Sequence, residues 1–193
     1  AGVLYMTLTH SKNNAWVDSA TDAPTHGGLS AFGEQVVAEM NRIGILVDLS
    51  HVSAEAMRDA LRVSTAPVIF SHSSAFALVP HPRNVPDDVL RLVARNGGVV
   101  MVNFNGPFVS EEMRQWSAAR SGEEERQKRL NPGDPAAAEA GLTAWDSEHP
   151  RPHARVAQLA DHVEHIARVA GADHVGIGSD YDGVTYLPDG MEG

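Results

Sequence analysis

Short runs of consecutive apolar residues alternate along this chain with stretches whose apolar residues recur every three or four positions. The runs occupy residues 3–9, 45–49, 67–70, 99–102 and 175–178. A run that is apolar throughout, instead of at every second position, is typical of a strand buried on both faces of a parallel sheet. We therefore predict five parallel strands, each covered on both faces.

Amphipathic stretches between these runs predict four helices. Ser30 is placed to cap the first helix and Gly44 to end it. Ser53 caps the second, Asp87 opens the third, and the fourth covers residues 155–169. Regular alternation of strands and helices favours right-handed βαβ units around a parallel sheet.

Residues 107–152 do not follow this alternation. They contain the charged run GEEER at 122–126 and the turn-rich run NPGDP at 131–135. We interpret them as a surface excursion with one or two helical turns, inside a single domain of residues 1–193. The excursion is expected to shape a rim or an oligomer contact, and a homodimer is therefore an open hypothesis.

Composition narrows the functional classes. The 193 residues include 15 Lys and Arg against 25 Asp and Glu, a net charge of −10, which disfavours binding to nucleic acid or to an anionic membrane surface. No run approaches the roughly 20 apolar residues of a membrane-spanning helix. There is no cysteine, so thiolate metal sites and cysteine nucleophiles are excluded and the compartment is not indicated. With ten histidines, any metal site must use imidazole and carboxylate.

A polar residue follows each of the five apolar runs, and the five in chain order are His10, His51, His72, Asn103 and Asp180. Parallel strands end at one edge, where ligands bind in open α/β sheets and in (β/α)8 barrels. Adjacent strands lie about 4.8 Å apart, so His51 and His72 can reach one cation. The alternative is that each histidine only bonds a carbonyl group at its strand end.

Asp180 and Arg83 are the charged candidates near this edge. Asp180 leaves a buried run and is a candidate general base or metal ligand, whereas turn chemistry suits residues 182–183 better. Arg83 follows the third run and can hold a carboxylate bidentately, or alternatively pair at the surface with Asp87 or Asp88.

Two histidines outside this edge, His162 and His165, lie three residues apart in the fourth predicted helix. No HExxH pattern accompanies them. We interpret them as packing or solvated residues and not as metal ligands.

Six motifs together resemble the renal (membrane) dipeptidase family of zinc peptidases. They are LTHSKN at 8–13, LVDLSHVS at 46–53, PVIFSHSSA at 67–75, RNVPDDVL at 83–90, VMVNF at 100–104 and GSDYDGV at 178–184. The resemblance covers most of the chain except residues 107–152. It implies a parallel (β/α)8 TIM-like barrel of which this chain holds about five of eight βα units, strands four to eight.

The resemblance also implies a role for each candidate. His51 and His72 match two ligands of one of the family's two zinc ions. His10 matches the residue that binds and polarises the scissile carbonyl, Arg83 the arginine that holds the substrate carboxylate, and Asp180 the acid/base aspartate. The family's His-x-Asp motif and its bridging glutamate are absent, so this chain supplies only two of the zinc ligands.

The function implied is hydrolysis of dipeptides by a hydroxide that two zinc ions per intact protein activate. One alternative is an amidohydrolase-like enzyme acting on N-acyl amino acids, lactones or cyclic amides. Another is an inactive or non-catalytic fragment, because little activity is expected of these 193 residues alone.

Overall fold

Five parallel strands pair in chain order in the computed structural model, which describes residues 2–191. The strands are β1 (Tyr5–Thr7), β2 (Leu46–Asp48), β3 (Ile69–Phe70), β4 (Val99–Val102) and β5 (Val175–Ile177). Each strand pairs with its sequence neighbours, so β1 and β5 form the two open edges. The prediction of an α/β fold with a partial barrel is confirmed; residues 1, 192 and 193 of the predicted domain lie outside the described residues.

Helices connect these strands. They are α1 (Ala31–Ile43), α2 (Ala54–Val63), α3 (Asp87–Asn96), α4 (Gly106–Val109), α5 (Glu111–Leu130), α6 (Pro135–Glu148) and α7 (Val156–Ala170), and a 3-10 turn, Ala172–His174, precedes β5.

The predicted helix ends are confirmed. Ser30 accepts a hydrogen bond from the Gly33 amide, and Ser53 accepts one from the Ala56 amide. Gly44 ends α1 in the left-handed conformation that glycine adopts at little cost.

The core lies between the sheet and the helices that cover one of its faces. α1 packs on α2, α2 on α3, and α3 on α7. Val47, Phe70 and Val100 point into this layer and are fully buried. The helices therefore hold the strands from one face of the sheet, and the carboxyl ends of the strands remain free to line a cleft.

The prediction that both faces of each strand are buried is wrong for this chain. Tyr5 in β1 is 51% exposed and Ile177 in β5 is 57% exposed. Both side chains line an open hollow of about 430 Å³ on the face away from the helices. Five strands do not close a barrel, so this face stays open to solvent at the two edge strands.

The prediction of only one or two helical turns in residues 107–152 is also wrong. α5 and α6 form a helical hairpin, which an Arg120–Asp146 ion pair at 2.8 Å and the Trp116–Trp145 ring contact join. The 20-residue helix α5 shows almost no apolar periodicity, and Met113 is its one buried residue.

No helix in residues 2–191 is long and apolar enough to cross a membrane.

Gly178→Ala is expected to lower the free energy of unfolding by about 1–3 kcal/mol, because the new methyl group would overpack the sheet. A Cβ atom there would lie 1.9 Å from the Ser71 carbonyl oxygen and 2.8 Å from Met101 Cβ. Urea denaturation followed by circular dichroism measures the change. Gly122→Ala is the control: it meets nothing within 4 Å on α5 and should stabilise the protein slightly. Equal effects of the two substitutions would contradict the close approach at Gly178.

Candidate active site

A cleft of about 530 Å³ opens at the carboxyl edge of the sheet. All five residues predicted for the site line it: His10, His51, His72, Arg83 and Asp180. The rest of its lining consists of Thr7, Thr9, Asn105, Phe108 and Gly183. The fold therefore brings together side chains that 170 positions separate in the sequence.

The His51 and His72 rings meet inside this cleft. Their Nε2 atoms lie 2.8 Å apart. Burial lowers the pKa of His51 to about 3, and the charge of Arg83 acts in the same direction. Burial and Arg83 lower the pKa of His72 as well. Both imidazoles are consequently neutral near pH 7, the form that binds metal ions.

Two of the cleft residues have a backbone conformation that is unusual for side chains other than glycine. His51 has φ 72° and Asp180 has φ 60°. Such a conformation costs of order 1–3 kcal/mol and persists only where its surroundings hold it. The amide of Ala20 donates to the His51 carbonyl oxygen at 2.7 Å, and the amide of Gly183 donates to that of Asp180 at 2.9 Å. Both residues line the cleft.

The carboxylate of Asp180 lies beside Asn103, the residue after β4, and beside Gly183 in the turn that follows Asp180. Asn103 Nδ2 donates to Asp180 Oδ2 at 3.2 Å. A Cβ atom on Gly183 would lie only 2.4 Å from Asp180 Oδ1, so a glycine is needed for this orientation. The turn assigned to residues 182–183 is therefore present, and it leaves Asp180 free to face the cleft.

Arg83 lies below the surface, where it is only 4% exposed. Its Nη2 donates to the His72 carbonyl oxygen at 3.2 Å, and its guanidinium lies 5.2 Å from the Phe108 ring centre. Its Nε has no hydrogen-bond partner within the described residues. Burial lowers the pKa of Arg83 to about 10, so it is still a cation at neutral pH.

The alternative of a surface pair between Arg83 and Asp87 or Asp88 is wrong. Asp88 accepts from Arg58 at 2.7 Å, and Asp87 lies 2.8 Å from His165 Nε2. Both carboxylates therefore pair with residues other than Arg83. The Arg83 guanidinium consequently remains available to a ligand in the cleft.

His10 is the most exposed of the predicted residues. Its ring centre lies 4.1 Å from that of His51. Its Nδ1 lies 2.9 Å from the Ser11 hydroxyl oxygen, which leaves the other ring nitrogen for a ligand.

The interpretation of His162 and His165 as packing residues agrees with the structure. His162 is 1% exposed and its Nδ1 accepts a hydrogen bond from the Ala75 amide at 2.9 Å. Burial lowers the pKa of His162 to about 4, which keeps the ring neutral. Both histidines therefore lie in the helix layer, away from the cleft.

Sequence reasoning assigned no role to Asp48, Ser71, Asn105 or Phe108. Asn105 and Phe108 line the cleft, and Asp48 and Ser71 lie beneath the His72 ring. One signal was present: Asp48 interrupts an apolar run that otherwise reads as a buried strand, and a buried carboxylate needs hydrogen-bonding partners.

The donors in the cleft fit one metal ion but do not complete its coordination. Two neutral imidazole nitrogens 2.8 Å apart are closer than twice the Zn–N distance of about 2.0–2.1 Å, so one ion can touch both. In residues 2–191 no group of three or more His, Asp and Glu side chains is placed to hold a metal. A zinc ion here would need further ligands besides these two imidazoles.

The loop that carries His10 is held by a buried carboxylate, Asp18. Asp18 accepts hydrogen bonds from the amides of Thr25, His26 and Gly28 at 2.9 to 3.1 Å. Burial alone would raise the pKa of Asp18, but these hydrogen bonds outweigh burial and lower it to about 2.

The whole chain, residues 1–193, matches the family described as Membrane dipeptidase (Peptidase family M19). A curated relative, Dipeptidase tcpJ of Claviceps purpurea (strain 20.1), is 47% identical over 192 residues. That alignment covers 99% of this chain but 36% of the relative. The chain therefore spans about a third of the length of this relative.

Solved structures share the fold. The probable dipeptidase PvdM from Pseudomonas aeruginosa matches 93% of this chain and 51% of its own, with a TM-score of 0.75 and 29% identity. A metallo peptidase from Rhodobacter sphaeroides, liganded with a phosphinate mimic of the dipeptide L-Ala-D-Ala, matches 98% of this chain and 45% of its own. Its TM-score is 0.72 and its identity 27%.

Asp18→Asn is expected to lower the free energy of unfolding at pH 7 by about 2 kcal/mol, the usual worth of hydrogen bonds to a charged group. A folded-state pKa of about 2 against 3.8 unfolded means that the stability is present above pH 4 and is lost toward pH 2. Urea denaturation at neutral and acid pH should therefore show the difference between variant and wild type shrinking in acid. Asp173→Asn, which removes an exposed carboxylate, is the control; a difference independent of pH would contradict this assignment.

Proposed function

The chain belongs to the membrane dipeptidase family, peptidase family M19, and from this premise we propose that the full-length protein hydrolyses dipeptides in the cleft described above. One observation carries the proposal: His10, His51, His72, Arg83 and Asp180 line a single cleft at the carboxyl edge of the sheet. That edge is where enzymes with parallel sheets and barrels hold their substrates. Because the chain spans 36% of its curated relative, the activity is assigned to the full-length protein.

His51 and His72 would hold one of two zinc ions through their Nε2 atoms. The two rings are neutral, face each other and have those nitrogens within 2.8 Å. The remaining ligands of both ions would come from the part of the protein beyond this segment. Bound zinc lowers the pKa of a coordinated water toward neutrality and polarises a carbonyl group.

Arg83 would select the substrate. Its buried guanidinium has an unpartnered Nε and lines the cleft, and a planar guanidinium binds a carboxylate through two parallel hydrogen bonds. A carboxylate bound there fixes the C-terminal end of the substrate. Substrates would therefore be short peptides with a free C-terminus.

Asp180 and His10 would serve the reacting atoms. Asp180 accepts a proton from the attacking water and delivers it to the leaving nitrogen as the C–N bond breaks, so that two amino acids are released. His10 donates a hydrogen bond to the carbonyl oxygen as negative charge develops on it. Asn103 keeps the Asp180 carboxylate oriented through its 3.2 Å hydrogen bond.

Asp180→Asn is expected to lower kcat for dipeptide hydrolysis by about 10²- to 10⁴-fold, because an amide cannot accept the proton. Zinc content, measured by mass spectrometry, should stay at the wild-type level because Asp180 is proposed as a base and not as a ligand. Asp182→Asn, an exposed neighbour outside the cleft lining, is the control and should keep wild-type turnover.

Turnover of Asp180→Asn near that of the wild type would remove the role given to Asp180. The same assay, run on a panel of dipeptides, N-acyl amino acids and lactones, tests the reaction class. Preference for an N-acyl amino acid or a lactone over every dipeptide would contradict the proposed function.

Arg83→Lys is expected to reduce kcat/KM for a dipeptide by roughly 10- to 100-fold, because a point charge replaces the bidentate pair. The wild type should strongly prefer a dipeptide over its C-terminal amide, and the variant should lose most of that preference. Steady-state kinetics with both substrates measure it. Arg151→Lys, at a cation that lies 4.3 Å from the Tyr186 ring, is the matched control. An unchanged preference in the Arg83 variant would show that Arg83 does not bind the carboxylate.

A further inference from the structure

Asp48 is a fully buried carboxylate in β2 for which the proposed chemistry has no use. The amides of Ser50 and Ser71 donate to its Oδ1, each at 3.0 Å. The hydroxyls of Thr7 and Ser71 donate to its Oδ2 at 2.5 and 2.6 Å. Because backbone amides can only donate, Oδ1 is an acceptor, and the two hydroxyls that donate to Oδ2 make that oxygen an acceptor as well.

The Ser71 hydroxyl joins this carboxylate to the His72 ring. Ser71 Oγ lies 2.6 Å from Asp48 Oδ2 and 2.7 Å from His72 Nδ1. A hydroxyl has one proton to give. When Ser71 donates it to Asp48, the oxygen must accept from His72, and the ring proton then lies on Nδ1.

The opposite direction is unfavourable. If Ser71 donated to His72 Nδ1, its lone pairs would face the Asp48 carboxylate oxygen at 2.6 Å in a buried position. Two acceptors at that distance with no proton between them repel strongly where water is excluded. The acceptor role of Asp48 Oδ2 therefore sets the direction of both hydrogen bonds.

We propose that Asp48 is a positioning residue that acts through Ser71 to hold His72 as the Nδ1-protonated tautomer. His72 Nε2 is then unprotonated, accepts from His51 Nε2 at 2.8 Å in the metal-free protein, and can serve as a ligand nitrogen. The identity of the ligand, zinc, rests on the proposed function; the tautomer does not. The His72 backbone is held in the same orientation, since its amide donates to Ser50 Oγ at 2.9 Å and its carbonyl oxygen accepts from Arg83. Loss of the outer-shell partners that orient metal-binding histidines typically lowers metal affinity about 10- to 100-fold.

Asp48→Asn reverses the two hydrogen bonds that join residue 48 to His72 through Ser71, while keeping the shape of the side chain. The two amides of Ser50 and Ser71 fix the carbamoyl oxygen at the Oδ1 position, so the NH₂ group must face the hydroxyls. It then donates to Ser71 Oγ, and Ser71 donates to His72 Nδ1. The ring proton is forced onto Nε2, where it blocks the ligand position.

The proton position on His72 is read directly in metal-free full-length protein labelled with ¹⁵N-histidine. Long-range ¹H–¹⁵N correlation spectra distinguish the two tautomers, and His72→Gln assigns the signals. The wild type should show Nδ1–H and Asp48→Asn should show Nε2–H. Thr7→Val, which removes another hydroxyl donor from the same Oδ2 atom, should keep Nδ1–H. Nε2–H in the wild-type protein would overturn the proposal, even if the Asp48 variant failed to fold.

Zinc affinity provides the second readout, by competition between the protein and a chromophoric chelator. Asp48→Asn should weaken zinc binding about 10- to 100-fold relative to the wild type. Unchanged zinc affinity in a folded variant whose tautomer is inverted would overturn the link from tautomer to metal. A wild-type Nδ1–H tautomer in a protein that cleaves no dipeptide would instead contradict the proposed function and leave the positioning role intact.

Discussion

Parallel pairing of five successive strands is the constraint on which this site depends. Because the strands run in one direction and in chain order, the residues that follow them meet at one edge. The two histidine nitrogens 2.8 Å apart are the clearest product of that geometry. Neither His51 nor His72 is chemically distinctive alone. Their contact, beside a buried arginine and a carboxylate, makes the cleft suitable for a cation and an anionic substrate.

The backbone conformations and the burial of the cleft residues cost free energy, and the surrounding structure offsets that cost. His51 and Asp180 have backbone conformations that side chains rarely adopt, and His72 and Arg83 are withdrawn from water. Hydrogen bonds to the backbone hold His51, His72 and Asp180, Arg83 donates to the His72 carbonyl oxygen, and the helix layer behind the sheet fixes the strands. Strained and partly desolvated groups gathered in one place are typical of functional sites.

Sequence pattern predicted the five parallel strands, the helix caps and the residues at the strand ends, because these depend on local periodicity and on the direction of a parallel strand. It could not predict helix α5, which carries ion pairs such as Glu123–Arg126 and is capped by Ser110 but shows little apolar periodicity. The sequence pattern also assigned no role to Asp48. Its hydrogen-bond partners Thr7 and Ser71 are 41 and 23 residues away in the sequence, and only the folded sheet brings them together. Burial of Arg83 was likewise set by tertiary packing.

Joint binding of one metal ion by His51 and His72 is the proposal on which the assigned chemistry depends. Anomalous X-ray scattering at the zinc absorption edge, from crystals of the full-length protein grown with zinc, tests this binding. An anomalous peak within about 2.0–2.1 Å of Nε2 on both rings is the expected result. A fully folded site with no peak between the two rings, or with a metal bound by only one of them, would contradict it.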